Sequence, residues 1–400
     1  MQPRRSYGAS QPGSPSSCVL DYDEGLLEAL RGVASGEVQL RSLLSSICEP
    51  PERLYVRVNT RRVDPGVLLD RLRSRGLRVY RDEHLPEALW FPVEGPNRVP
   101  EAEKKVVVDK RTAESVLLGA HVYAPGVIDA EGVSPGDEVN VVTEHGVVVA
   151  YGVARMSWEE ARRRGRGLFV EVVVSRYRAP STRELPEWRE GLIYEQSLPA
   201  MWASRLLDPR PGETIVDMCA APGGKTGHIV ELTGGRARVY AFDHSRSKIE
   251  RMREELRRLG HLDAVIVRRA DSRYLDLDYP GLRADRVLLD PPCTALGVIP
   301  KVYDRKGLRD VVNAARYQWQ FAKVAAKILK PGGRLVYSTC TLTREENEEI
   351  VERLESLGLR VVEERAPGSS RGVGVPEASR FYPSVQRTPG YFIAVLEKVG

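Results

Sequence analysis

From about residue 190 the chain settles into a strand–helix alternation, and this constrains its fold more than any other feature. Apolar runs at Thr214–Met218, Arg238–Phe242, Ala264–Val267, Arg286–Leu289 and Arg334–Ser338 predict strands. Stretches of helical periodicity at 224–233, 246–259, 308–329 and 344–356 fall between them, with later strands near 359–364 and 391–397. Alternation of this kind calls for an α/β, doubly wound, mostly parallel sheet with helices on both faces. Ligands of such sheets sit at the carboxyl ends of the strands, around the switch point.

The chain ahead of this region is built differently. Residues 105–178 carry short strands (Val106–Val108, Glu138–Val142, Gly146–Ala150, Leu168–Val174) separated by turns at Ala124-Pro125-Gly126, Ser134–Asp137 and Glu144–Gly146. With one early helix near 111–118, they predict a small β-barrel or sandwich. Residues 21–104 mix helical periodicity at Leu26, Leu27 and Leu30 with an alternating strand, Leu54–Thr60, and a helix bearing Leu68, Leu69 and Leu72. The opening residues are rich in Ser, Pro, Gly and Gln, the composition of a disordered tail. The expected division is therefore a tail at 1–20, an α+β region at 21–104, a β domain at 105–180 and an α/β domain at 181–400.

Five cysteines stand at 18, 48, 219, 293 and 340, with no Cys-x-x-Cys pair among them. No zinc or other metal site is expected, nor a secreted disulfide framework; a reducing, cytoplasmic setting with free thiols fits. No apolar run approaches a membrane span, and the start lacks a signal-peptide core. The net charge of +5 permits an anionic partner without requiring one. No obligate protein partner is evident.

Residues 214–226 read as a buried strand, a tight turn and a helix start: Asp217-Met218-Cys219-Ala220-Ala221-Pro222-Gly223-Gly224-Lys225-Thr226. Gly223 and Gly224 allow close approach to the backbone, and the helix start offers free N–H groups. A Walker loop needs glycine where Cys219 stands, and the dinucleotide Gly-x-Gly-x-x-Gly spacing is absent. Asp243 closes the next strand, where a carboxylate can accept both ribose hydroxyls, and Asp271 follows the third, within reach of an adenine amino group. An adenosine site without a phosphate loop points to S-adenosyl-L-methionine. Lys248 lies one turn past Asp243 and lines the same pocket or is simply solvated; both aspartates could instead be helix caps.

The chemistry should lie at Asp290-Pro291-Pro292-Cys293 and Ser338-Thr339-Cys340-Thr341. A lone cysteine after a strand is usually a small buried hydrophobe. Two at the ends of successive strands beside a cofactor turn point to covalent chemistry on a base. Cys293 also stands where amino-methylating enzymes carry the tyrosine of Asp-Pro-Pro-Tyr. Asp290 can stabilise charge developing on the base, and the two prolines stiffen its loop.

Together with Arg57-Val58-Asn59-Thr60 and the closing Gly390-Tyr391-Phe392-Ile393-Ala394, these segments resemble the Sun family of RNA cytosine-5 methyltransferases. The resemblance implies that Cys340 attacks carbon 6 of cytosine and that Cys293 assists release. It also implies a cofactor site of Cys219 to Lys225, Asp243, Asp271 and Asp290. DNA enzymes use the counterpart of Cys293 as nucleophile, so Cys340 implies RNA, not DNA. Thr294-Ala295 stands where many members carry Ser-Gly, and Thr388-Pro389 where an acidic residue is frequent. The run Ala113–Val127 resembles the pseudouridine synthase and archaeosine transglycosylase (PUA) RNA-binding domain. A PUA domain ahead of a Sun-type catalytic domain is similar to the branch that methylates an acceptor-stem cytosine of tRNA, with ribosomal RNA as the alternative substrate. A non-catalytic RNA-binding or assembly factor could lose either motif cysteine, and both are present. Arg162–Arg166 and Arg176–Arg178 could neutralise phosphates or form a solvated face.

Overall fold

The computed structural model describes residues 18–400. Its largest sheet has nine strands: β1 (Thr214–Asp217), β2 (Arg238–Asp243), β3 (Val265–Arg269), β4 (Ala284–Leu289), β5 (Leu329–Thr339), β6 (Leu359–Val361), β7 (Ser370–Arg371), β8 (Ser379–Phe381) and β9 (Tyr391–Lys398). They lie in the order β3-β2-β1-β4-β5-β9-β8-β7, and β6 also pairs with β9. The first five are parallel, and β9 runs antiparallel to β5. The helices α1 (Gly224–Leu232), α2 (Arg246–Leu259), α3 (Leu308–Ile328) and α4 (Glu348–Glu355) cross between or follow these strands.

Side chains alternate across the sheet, as strand pleating requires. Leu335, Tyr337, Phe392 and Ala394 point into a core with Phe321, Ala322 and Ala325 of α3. Val336, Ile393 and Val395 point into a second core with Ile229 and Val230 of α1 and Met252 and Leu256 of α2. The central strands are therefore buried on both faces and read as unbroken apolar runs. The order reverses between β1 and β4, so the turns after Asp217, Asp243 and Leu289 share one edge with the end of β5.

Residues 104–108, 122–123, 127–129, 138–143, 148–154 and 168–175 form a separate six-stranded sheet around a valine-rich core, with its helix at Lys110–Val116. A four-stranded sheet joins Arg53–Val58, Tyr80–Arg81 and Ala88–Pro92 to Ile193–Glu195, which the sequence places in the α/β domain. Edge pairing with Arg53–Val58 draws that short segment into the N-terminal sheet.

The N-terminal portion departs furthest from expectation. Residues 1–17 of the expected tail lie outside the described residues, but Cys18 and Leu20 are buried and Val19–Tyr22 is a strand parallel to Tyr303–Lys306. The helices Glu24–Ala34 and Glu37–Ile47 pack on Leu296, Ile299, Val311 and Leu342. Asp23 caps two helices at once, accepting from Leu26 N at 2.9 Å and from Leu308 N at 3.0 Å. Cys18 and Cys48, expected to be free, form a disulfide with a Cα–Cα distance of 5.5 Å. Strand pairing and the helical hairpin bring together thiols that the sequence separates.

Candidate active site

The turn after β1 is fixed from within the protein. Ala220 N donates to Phe242 O at 2.9 Å, and Gly223 N to Ala220 O at 2.7 Å, across a cis Ala221–Pro222 bond. Gly223 has φ +101°, which favours glycine, and a Cβ at Gly224 would lie 2.7 Å from the Tyr194 ring. Both glycines are thus required by conformation and by packing against Tyr194 and Met252, not only by an approaching ligand. Asp217, fully buried, accepts from the Thr226 hydroxyl at 2.7 Å, and burial pushes its carboxyl up to about 7.

Arg57 reaches the same helix start from the N-terminal sheet. It is fully buried, pairs with Glu231 at 2.7 Å and donates to Gly224 O at 2.6 Å. Asn59 Nδ2 donates to Leu259 O at 2.8 Å. The Arg-Val-Asn-Thr segment therefore bolts α1 and the end of α2 to the upstream sheet.

Asp243 is buried at the end of β2, and its Oδ1 accepts from Ser245 N at 2.9 Å. Asp271 is half-buried and accepts from Arg273 N at 3.1 Å, and the Arg273 guanidinium pairing with both its oxygens holds its carboxyl below the usual range. The cap reading thus applies to Asp271, which caps the short turn Ser272–Tyr274, whereas α2 is capped by Ser245 and not by Asp243. Lys248 is exposed on α2, its backbone N–H 3.5 Å from Ser245 Oγ.

Asp290, just past β4, is held by three donors. Lys225 Nζ lies 2.6 Å from Oδ2, while Ser338 Oγ donates to Oδ1 at 2.9 Å and Tyr391 OH at 3.1 Å. The charge of Asp290 raises the Lys225 ammonium above its ordinary range despite burial. Cys293 Sγ and Cys340 Sγ stand 3.4 Å apart, and both residues are half-exposed. Their hydrogen bond couples the two thiols, raising that of Cys293 and lowering that of Cys340. Cys219 lies on the cofactor turn, and burial raises its thiol.

Two close backbone approaches hold the loops in register. Gly297 N donates to Cys340 O at 3.0 Å, and Gly390 N to Gly297 O at 2.8 Å. A Cβ on Gly297 would collide with Gly390, so these two glycines let the loop beyond Cys293 thread between the end of β5 and the start of β9. Ala295 adopts φ +56°, a left-handed conformation that glycine would take with less strain. Ser338 and Tyr391 were legible only as members of motifs, and Asp217 only as part of the turn; hydrogen-bond pairing shows what they hold.

A groove of about 1370 Å3 opens beside the valine-rich sheet, bordered by Arg78, Arg111, His121, Tyr123, Arg178 and Arg183. Of the two basic clusters, Arg178 lines this groove, while Arg162 lies over the Trp158 ring and Arg164 pairs with Glu160 at 2.9 Å.

A parallel sheet of this order, a glycine turn opening a helix and acidic strand ends on one edge define a class I S-adenosylmethionine-dependent methyltransferase. The donor set fits that cofactor: helix N–H groups for its carboxylate and buried Asp243 for its ribose. Residues 204–397 match the family model described as 16S rRNA methyltransferase RsmB/F, and 104–174 match the PUA domain. A tRNA (cytosine(72)-C(5))-methyltransferase of Pyrococcus horikoshii is 41% identical over 368 residues, 91% of this chain and 94% of that protein. The mouse tRNA (cytosine(72)-C(5))-methyltransferase NSUN6 is 32% identical, covering 79% of this chain and 73% of its own. The crystal structure of NSun6 from Pyrococcus horikoshii with SFG superposes with a TM-score of 0.90 at 40% identity, covering 95% of this chain and 99% of that one. The chain belongs to the Sun (RsmB/F) family of RNA cytosine-5 methyltransferases, in the branch that carries a PUA domain. It is an S-adenosylmethionine-dependent enzyme.

Proposed function

We propose that the protein methylates carbon 5 of cytosine 72 in the acceptor stem of tRNA through a covalent Cys340–cytosine adduct. The observation that carries the chemistry is the thiol pair, 3.4 Å apart at the ends of neighbouring strands. Carbon 5 of cytosine is a weak nucleophile. Addition of the Cys340 thiolate to carbon 6 turns it into an enamine carbon that can attack a methyl sulfonium, which S-adenosylmethionine supplies. Asp290, with its orientation fixed by Lys225, Ser338 and Tyr391, accepts from the amino edge of the base and steadies the charge that builds there. Loss of the carbon 5 proton to a base then breaks the sulfur–carbon 6 bond. Cys293 assists release by donating a hydrogen bond to the departing Cys340 sulfur.

For the cofactor, the turn Cys219-Ala220-Ala221-Pro222-Gly223-Gly224-Lys225 receives the amino-acid end. Asp243 takes the ribose, Asp271 the adenine, Asp290 lines the reacting end and Lys248 stands at the rim. The tRNA substrate is supported by the extent of likeness: the tRNA relative aligns along nearly the whole chain, whereas the model named for ribosomal RNA matches 204–397 alone. The groove bordered by four arginines gives the PUA side a surface for phosphates. Among the described residues no helix is long and apolar enough to cross a membrane, and we place the enzyme in the cytoplasm with its RNA. Incubation with labelled cofactor and either total tRNA or ribosomal RNA, followed by mapping of 5-methylcytosine, tests the reading. Label at tRNA position 72 is expected, and label confined to ribosomal RNA would overturn the substrate.

A further inference from the structure

The four-stranded N-terminal sheet uses its two faces differently. Val56 and Val58 of Arg53–Val58 pack with Leu89 and Phe91 of Ala88–Pro92 in an apolar core. The alternate side chains, Arg53, Tyr55 and Arg57 on one strand and Ala88, Trp90 and Pro92 on the other, point to the opposite face. There the register sets Tyr55, Trp90 and Tyr80 side by side across three strands. Trp90 and Tyr80 stack with ring centroids 4.5 Å apart and planes inclined by 24°. The Arg53 guanidinium, from the strand on the other side of Trp90, lies 4.5 Å from its ring. Leu198, Met201 and Trp202 cover the Tyr55 end of this face. The other end is open: Arg53 is exposed, and Tyr80 leaves 42% of its surface to solvent.

Cross-strand aromatic pairing would account for Trp90 and Tyr80 as sheet neighbours. It does not account for where the row lies. At one end Pro92 and Arg78, each two residues from a stacked ring, border the groove that carries Arg111, Arg178 and Arg183. At the other end Arg57, about 13 Å along the strand from Arg53, donates to Gly224 O at 2.6 Å on the cofactor turn. The row therefore joins a basic groove to the methyl donor's site. Its acidic neighbours are engaged, Asp82 by Tyr55 OH at 3.0 Å and Glu94 by Arg78 at 3.1 Å, so Arg53 gives the row its charge.

A cytosine in an RNA stem has both ring faces covered by stacked neighbours, and a thiolate must add to carbon 6 through one of those faces. The target must leave the stack, and the bases it leaves behind lose contacts of their own. Aromatic and guanidinium planes restore such contacts for any base, because every base has a π-face. We propose that Tyr80, Trp90 and Arg53 form a stacking platform for a base of the RNA substrate that is unpaired while the target cytosine occupies the active site. The occupant is a nucleobase because ring planes supply the open surface, and it belongs to RNA because the row continues the arginine-bordered groove. This deepens the proposed reaction and rests on it for the identity of the RNA.

The test uses the full-length protein and a tRNA transcript carrying 2-aminopurine on either side of cytosine 72, or opposite it, one position at a time. Stacking quenches this base, so at one of the three positions the Tyr80→Ala complex should be brighter than the wild-type complex. Affinity for the unlabelled transcript should fall at least about fivefold in Tyr80→Ala. The salt slope should not change, because no phosphate contact is lost. Tyr80→Leu keeps apolar bulk without a ring plane and should fall likewise, whereas Tyr80→Phe keeps the plane and should stay within about twofold of the wild type. Wild-type affinity in Tyr80→Ala or Tyr80→Leu, or no position whose fluorescence responds to Tyr80→Ala, would overturn the proposal. If Tyr80→Ala does not fold, Tyr80→Leu against Tyr80→Phe still decides. Failure of the tRNA reading itself would show separately, as a wild-type enzyme that leaves cytosine 72 unmethylated.

Discussion

Removing the Arg57 guanidinium, as in Arg57→Met, should both destabilise the protein and weaken cofactor binding. Arg57 has 0% of its side chain exposed and Glu231 2%, and the pair is bidentate at 2.7 and 3.1 Å. Stranding one member of a buried pair costs about 3–5 kcal/mol, because the remaining charge is left without solvent or partner. Burial already pushes the Glu231 carboxyl up while Arg57 holds it down, so the variant leaves the unfavourable influence alone. Loss of the 2.6 Å bond to Gly224 O also frees the start of α1, which carries Lys225. We expect unfolding free energy to fall by about 4 kcal/mol. Cofactor affinity should fall about tenfold, equivalent to about 1.4 kcal/mol of lost preorganisation. Urea denaturation and calorimetric titration with S-adenosylmethionine read the two effects. Because the cost is a stranded charge, Arg57→Met/Glu231→Gln should recover at least about 2 kcal/mol of it. A single-mutant loss under about 1 kcal/mol, or a double mutant no more stable than the single, would refute the reasoning.

Three further outcomes follow from other parts of the molecule. His228 and His261 are buried, which lowers their pKa to about 4 and about 3. Both values lie below the unfolded value of about 6.5. Their neutral forms therefore stabilise the fold fully above that pH, and this contribution is lost toward pH 4. Asp217, raised to about 7, offsets one of the two over the same window. The net decline should be up to about 1.4 kcal/mol per pH unit, seen as a falling urea midpoint; a rising midpoint would contradict this. Opening the Cys18–Cys48 disulfide, which spans 30 residues, should cost about 3–4 kcal/mol, measured by denaturation of the Cys18→Ser/Cys48→Ser variant against the oxidised protein. Arg111→Ala and Arg178→Ala, on the rim of the groove, should each weaken tRNA binding and flatten its salt slope by about one phosphate contact while leaving cofactor affinity unchanged.

The sheet edge that carries the chemistry was legible because parallel strands buried on both faces announce themselves as apolar runs. The expected Thr214–Met218 and Arg286–Leu289 became Thr214–Asp217 and Ala284–Leu289, and the expected helix 246–259 is observed at Arg246–Leu259. Elements stabilised by partners were not legible. Tyr303-Asp304-Arg305-Lys306 is a polar run that becomes a strand by pairing with Val19–Tyr22. Ser370–Arg371 and Ser379–Phe381 are too short to show a period. The paired thiols could be singled out because each stands in its own motif, and the disulfide could not, because Cys18 and Cys48 meet only through tertiary packing. Glu346 was hidden for another reason. It sits in Arg344-Glu345-Glu346-Asn347-Glu348, which reads as a solvated helix start, and donors from Thr294, Gln318 and Thr341 draw it inside.

The covalent step is tested most directly by Cys293→Ala incubated with tRNA and S-adenosylmethionine and resolved on a denaturing gel. Without the hydrogen bond that helps Cys340 depart, the methylated adduct should persist as a slow band. That band should require the cofactor and be absent from Cys293→Ala/Cys340→Ala. A cofactor-dependent adduct that survives the loss of Cys340 would contradict its assignment as the nucleophile.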